Sequence, residues 1–162
     1  MKKGKFKYKI CSKKLPNGLT RQFRMIDHPG AVLIVPFMDN RNIILLRQYR
    51  PALGKYLFEL PCGTIDPNES PLVCAKRELI EETGYKGGQF SGLGKIYPAP
   101  GYTNEVIYLY QAQQLMPQHA EKDQDEIIST RIVSRPEIKS MVAHRKISDA
   151  KTICALVFCG WL

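Results

Sequence analysis

The chain has 162 residues, which fits one domain and allows roughly 70% of the unfolded surface to be buried. Hydrophobic residues make up 44% of the chain and are spread throughout, which argues against disorder, and no apolar run approaches the ~18 residues of a membrane span. Its five cysteines, without a Cys-x-x-Cys pair, exclude a disulfide framework and a zinc site. The net charge of +9 is compatible with two kinds of partner, nucleic acid or a small diphosphate.

The beginning of the chain has the pattern of a strand. Between residues 5 and 10, three lysines alternate with Phe6, Tyr8 and Ile10, as on a strand with one apolar face. Lysines protect an edge strand from aggregation, and we favour this interpretation over an RNA-binding arm. Because no apolar stretch follows the first basic residues, as it would in a secretory signal, we expect a cytoplasmic protein.

The remaining elements alternate between strands and helices. Residues 31–37 predict a buried strand, 39–42 a turn and 43–49 a second strand, so this pair predicts a hairpin. Further strands are predicted at 106–112 and 127–134, and helices at 136–143 and 148–162, the last capped by Ser148 or Asp149.

Between the two pairs of strands, residues 63–85 predict a loop followed by a helix. Ser70 is a suitable N-cap, and Pro71 follows at the first helical position, where its missing donor costs nothing. Leu72 and Leu79 lie on one apolar stripe of this helix. The helix is expected to stop at Gly84, which readily adopts the left-handed conformation that closes helices.

Three acids of this helix indicate a metal site. Glu78, Glu81 and Glu82 lie at i, i+3 and i+4, which places them on one side of the helix. Their mutual repulsion calls for a cation, and Mg²⁺ or Mn²⁺ is the natural choice for an all-oxygen site. Because Gly63 can turn without a side-chain penalty, the backbone carbonyl of Cys62 is expected to face the same metal.

Gly63, Glu69 and the run Arg77 to Tyr85 together resemble the complete Nudix box. An acid-rich surface helix is the alternative, but it gives no reason for this glycine, cap and acid spacing to occur together. The resemblance implies an α/β protein with the Nudix fold, a mixed β-sheet in an α/β/α sandwich with extra N-terminal strands. We expect these strands in residues 1–28 and the Nudix hydrolase domain in residues 29–162.

The resemblance also implies a reaction, the metal-dependent hydrolysis of a nucleoside diphosphate linked to another group. Metal ions neutralise the charge that would otherwise repel an attacking water from a pyrophosphate. By the family pattern, Glu78 and Glu82 are the principal metal ligands, Glu81 assists, the Cys62 carbonyl completes the shell, Arg77 pairs with Glu69 to brace the loop, and Gly63 and Gly84 are structural.

Two segments resemble the branch of the family that acts on ADP-ribose and nucleoside diphosphate sugars. The first runs from Arg47 to Arg50 and continues at Glu59, and these residues are expected to bind substrate. We favour Arg50 over Arg47 as a phosphate clamp. The second is a proline-bearing loop in which Pro100 fixes a rim turn and Tyr102, or alternatively Tyr97, offers a ring to a sugar or base.

The acidic segment 121–126 supplies the candidate general base. Related pyrophosphatases place a catalytic glutamate on such a loop, and Glu126 is our first choice, with Glu121 behind it. An ordinary solvated loop remains the alternative.

The expected partner is therefore a small nucleoside diphosphate, with no membrane or nucleic-acid partner. In this branch the N-terminal strands commonly exchange between subunits, so we expect a homodimer. The enzymatic alternatives are GDP-mannose, a dinucleoside polyphosphate or the 5′ end of RNA as substrate. A Nudix domain that senses a nucleotide without cleaving it is the non-enzymatic alternative.

Overall fold

The structure, a computed structural model, describes residues 6–119 and 127–162. None of the described helices combines the length and apolar character that a membrane crossing requires. The described strands are β1 (Lys7–Lys14), β2 (Thr20–Asp27), β3 (Ala31–Pro36), β4 (Asn42–Arg50), β5 (Lys55–Glu59), β6 (Cys62–Thr64), β7 (Tyr85–Ile96), β8 (Ile107–Pro117) and β9 (Ile128–Ser134), and the helices are α1 (Pro71–Thr83), α2 (Arg135–Ala143) and α3 (Ala150–Phe158).

A mixed sheet of four strands, in the order β6-β3-β8-β7, forms the centre of the molecule. Strand β3 runs parallel to β8 and antiparallel to β6, and all its residues are buried. Val32 and Ile34 pack with residues of α1, whereas Leu33 and Val35 share the opposite core with residues of α2 and α3. This arrangement confirms the predicted α/β/α sandwich. A second sheet, β5-β4-β9, contributes to the core on the side of α2 and α3.

The predicted hairpin of residues 31–49 is wrong. Strands β3 and β4 exist, but they belong to different sheets. They are linked only near the turn, by an isolated bridge between Phe37 and Ile43 and a backbone hydrogen bond from Met38 to Asn42. The predicted turn is present, with Asp39 Oδ1 accepting from the backbone N–H groups of Arg41 and Asn42 at 2.7 and 2.8 Å. Because both strands carry continuous apolar runs, the sequence has no alternation to indicate which neighbour each strand takes.

The local helix signals were largely correct. Ser70 caps α1, and Gly84 adopts φ 75° at its C-terminus, as predicted. Asp149 caps α3. This helix ends at Phe158 rather than continuing to Leu162, because Gly160 adopts a left-handed conformation and the N–H of Trp161 returns to the Leu156 carbonyl.

The extra N-terminal strands are confirmed as β1 and β2, which form a separate antiparallel sheet. Strand β7 was not predicted. It pairs with β8 along most of its length, but its four glycines obscure the strand pattern, because glycine is depleted in strands. The long β7-β8 pair extends β8 to Pro117, past the predicted end at Ala112.

Candidate active site

Helix α1 carries the acids of the Nudix box on the side that faces β6. Glu78 and Glu82 are buried, with only 8% and 5% of each residue exposed, whereas 44% of the Glu81 side chain is exposed. Buried carboxylates require charged or hydrogen-bonding partners. The residues that contact these acids therefore determine where each carboxylate lies.

Gly63 allows β6 to lie directly against the Glu78 carboxylate. A Cβ atom at position 63 would lie 1.8 Å from Glu78 Cδ and 1.9 Å from its Oε1. The backbone of Gly63 is not in the left-handed region. Glycine is therefore needed here for the close approach of a carboxylate, and not for the turn that the sequence analysis expected.

Arg77 links the acids of this segment. Its Nε and Nη2 each donate to the Glu69 carboxylate at 2.9 Å, and its Nη1 donates to Glu78 at 2.7 Å and to Glu81 at 2.9 Å. Hydrogen bonds from Arg77 lower the pKa of Glu69 to about 2. The guanidinium thus holds the loop before α1 and two of the candidate metal ligands together.

Glu82 makes the link to β6. Its Oε2 accepts a 2.8 Å hydrogen bond from the backbone N–H of Cys62, the residue whose carbonyl was expected to face the metal. Burial raises the pKa of the Cys62 thiol, and burial also raises that of Cys74, to about 12. Both side chains are therefore neutral thiols, so the negative charge around Gly63 comes from carboxylates alone among the described side chains.

The donor chemistry fits a hard divalent cation. The three glutamates supply only oxygen, and the space that a Cβ at Gly63 would fill is taken by the Glu78 carboxylate. Within residues 6–119 and 127–162, however, no group of three or more ligating side chains already lies in a metal-binding arrangement. Glu78 and Glu81 each accept a hydrogen bond from Arg77 in this structure, which neutralises part of their charge.

The two candidate phosphate-binding arginines lie on opposite faces of β4. The Arg47 guanidinium lies 3.7 Å from the centroid of the Tyr56 ring. Arg50 makes a bidentate pair with Glu59, with both distances 2.7 Å. Burial works to raise the pKa of Glu59, but hydrogen bonds from Arg50 and the charge of Lys151 outweigh it and lower the pKa. Arg50 and Glu59 therefore bind each other in this structure.

A cavity of about 340 Å³ lies beside the loop that contains Pro100. The loop leads into β8, whose Ile107 pairs with Ala31, and Ala31 also pairs with Thr64, next to Gly63. The Phe6 and His28 rings are stacked, with centroids 5.7 Å apart. Pro100 does not line the cavity; its wall includes Phe6, Ile26 and His28 from the N-terminal segment and Pro98, Tyr102 and Glu105 from the loop.

The candidate general bases Glu121 and Glu126 lie outside the described residues.

Three residues near the site were missed by the sequence analysis. Lys151 contacts Glu59, Thr152 bonds to the backbone of Leu60, and His28 lines the cavity. The contacts of Lys151 and Thr152 are with residues distant in sequence, and no local sequence pattern marks any of the three residues. The predicted cap at Asp149 did locate the helix turn that carries Lys151 and Thr152.

We predict that Gly63→Ala weakens metal binding. The new Cβ would displace the Glu78 carboxylate, while the backbone conformation suits alanine. Titration of Mn²⁺ should show an affinity at least about tenfold lower, with a folded protein. Gly92→Ala in β7 is the control, because a Cβ there meets nothing within 4 Å. An unchanged Mn²⁺ affinity in Gly63→Ala would contradict this role of Gly63.

We also predict an acid-sensitive contribution of Glu69 to stability. Its pKa is lowered from 4.5 to about 2 in the fold, so its stabilising effect is complete above about pH 4.5 and is lost as the pH falls towards 2. Urea unfolding at several pH values should show Glu69→Gln less stable than wild type by about 1–3 kcal/mol at pH 6. The difference should shrink below pH 4.5, and a constant difference down to pH 2 would refute the prediction.

The sequence and the fold both resemble those of known proteins. Residues 27–156 match the NUDIX domain family. The chain is 34% identical over 154 residues to a methanol dehydrogenase activator from Bacillus methanolicus, covering 94% of this chain and 83% of that protein. It is 32% identical over 146 residues to an ADP-ribose pyrophosphatase from Bacillus subtilis (strain 168), covering 89% and 79%. The crystal structure of an ADP compounds hydrolase superposes with a TM-score of 0.80 at 27% identity, covering 95% of this chain and 84% of that one. The chain therefore belongs to the Nudix family.

Proposed function

We propose that this protein hydrolyses the pyrophosphate bond of ADP-ribose or a related nucleoside diphosphate sugar, giving a nucleoside monophosphate and a sugar phosphate. The observation that carries the proposal is the Nudix helix α1, whose buried Glu78 and Glu82 face the strand of Cys62 and Gly63. Similarity to an ADP-ribose pyrophosphatase and to an ADP compounds hydrolase supports the substrate class.

The metal proposed is Mg²⁺, with Mn²⁺ as a substitute. When bound, it would neutralise pyrophosphate oxygens and favour ionisation of the attacking water. Glu78 and Glu82 would hold it, with help from Glu81 and the Cys62 carbonyl. Arg77 would keep its two hydrogen bonds to Glu69 while Glu78 and Glu81 turn towards the metal, so the loop before α1 would stay in place.

Other residues of the chain would bind the rest of the substrate. The rings of Phe6, His28 and Tyr102 line the cavity beside the Pro100 loop, and an aromatic wall suits a nucleoside base or a sugar. Arg50 is paired with Glu59, and Arg47 lies over the ring of Tyr56. Either arginine would have to give up this contact to bind a phosphate. Glu126, or Glu121 behind it, remains our choice of general base.

The first test is turnover of a substrate panel with Mg²⁺, containing ADP-ribose, GDP-mannose, a dinucleoside polyphosphate and 5′-triphosphate RNA. We expect ADP-ribose or another nucleoside diphosphate sugar to be preferred. Glu82→Gln should lower turnover at least about 100-fold, because it removes a metal-binding charge. Glu137→Gln is the matched control, because Glu137 of α2 forms only a surface ion pair, with Arg131 of β9, among the described contacts. Nucleotide binding without any hydrolysis would favour the sensor alternative.

We further propose that the protein is a cytoplasmic homodimer built through β1 and β2. All five cysteines are free thiols, which suits a reducing compartment. Tyr8 and Ile10 project from β1 with 65% and 66% of each residue exposed, although these apolar residues are suited to burial against another subunit.

Light scattering should therefore give twice the mass of one chain. Ile10→Lys should shift the protein towards the monomer, because it places a charge in the proposed interface. Val157→Lys, an equally drastic change at an exposed position of α3, should leave the mass unchanged. A monomeric wild type would refute the dimer without affecting the proposed chemistry.

A further inference from the structure

The first turn of α3 is bonded to the segment that leads into the metal-site strand β6. The backbone N–H of Leu60 donates to Thr152 Oγ1 at 2.9 Å, although the two residues are 92 positions apart. Thr152 has no exposed surface and Leu60 only 1%. A buried backbone donor that loses its acceptor is costly, so this bond fixes Leu60 against α3.

A second contact from α3 fixes Glu59, the residue before Leu60. Lys151 Nζ donates to both Glu59 and Asp149, the latter at 2.8 Å. Glu59 has no exposed surface, and its carboxylate also accepts both bonds from Arg50. Asp149 in turn caps α3 by accepting from the backbone N–H of Thr152 at 3.0 Å. Charged groups buried together in this way have little freedom to rearrange.

The fixed segment ends at the candidate metal ligands. After Leu60, the carbonyl of Pro61 accepts from the N–H of Ile34 at 2.9 Å. The N–H of Cys62 then donates to Glu82 at 2.8 Å. The ring of Pro61 restricts the backbone between the two bonded positions. A short, stiff path of backbone therefore joins α3 to Glu82.

We propose that Thr152 and Lys151 are positioning residues that set the place of the Cys62 backbone relative to Glu82, and thereby the affinity of the metal site. Neither side chain would touch metal or substrate. This inference rests on the proposed function, because it takes Glu82 and the Cys62 carbonyl as metal ligands. Without the bond from Thr152, the segment would have to shift to satisfy the Leu60 N–H, and Cys62 would shift with it.

The test measures Mn²⁺ binding by electron paramagnetic resonance, without substrate, in Thr152→Val and Thr152→Ser. Valine keeps the shape but removes the hydroxyl, so the dissociation constant should rise about five- to tenfold, which corresponds to passing the free energy of one buried hydrogen bond on to the metal site. Serine keeps the hydroxyl and should stay within about twofold of wild type. Turnover by Thr152→Val should recover towards the wild-type value at saturating Mn²⁺.

Lys151→Met is the second variant, in case valine at position 152 prevents folding. It leaves the Leu60 bond and the Arg50–Glu59 pair in place and should also raise the Mn²⁺ dissociation constant, with recovery in Lys151→Arg. Unfolding by urea in EDTA measures stability separately. If Lys151→Met and every folded Thr152 variant lose stability but bind Mn²⁺ as wild type does, the residues are only structural and the inference is refuted. Because the binding assay contains no substrate, a weakened affinity supports the inference even if the panel shows no hydrolysis.

Discussion

The burial of two glutamates between α1 and β6 is the constraint on which the rest of the site depends. Glu78 and Glu82 have less than a tenth of their surface exposed, and an unpaired carboxylate in that position would be strongly destabilising. The fold meets this requirement in two ways. Arg77 donates to Glu78 from within the helix, and the backbone of Cys62 donates to Glu82 from the strand. Gly63 then leaves room for the carboxylate of Glu78, so the strand and the helix must be in register for either glutamate to be accommodated.

The local structure of α1 could be read from the sequence because its signals act over a few residues. Ser70, Pro71 and Gly84 each act on the helix end beside them, and all three lie where they were expected. The same holds for the turn at Asp39 and the cap at Asp149. In each case one side chain or one backbone conformation decides the outcome, without help from distant parts of the chain.

The features that the sequence did not predict depend on distant parts of the chain. Whether β3 pairs with β4 or with β8 depends on how the apolar faces of the strands pack. The sequence does not indicate this, because β3 and β4 each carry apolar residues on both faces. The contact of Lys151 with Glu59 also spans 92 residues and follows no spacing rule. Gly63 was identified from the sequence, but for the wrong reason. Glycine is required because the Glu78 carboxylate lies against its backbone, and this contact exists only once the helix has packed on the strand.

The balance of charge at the site runs opposite to that of the whole chain. The protein carries a net charge of +9. At the site, however, seven carboxylates surround three cations. The carboxylates are those of Glu59, Asp66, Glu69, Glu78, Glu81, Glu82 and Asp149, and the cations are Arg50, Arg77 and Lys151. This excess of four negative charges would repel a pyrophosphate, and the three cations already contact carboxylates. Divalent cations would reverse the repulsion, whereas the basic residues elsewhere can only attract the substrate from a distance. The physical case for a metal-dependent site therefore follows from this local excess of carboxylates as well as from the Nudix motif.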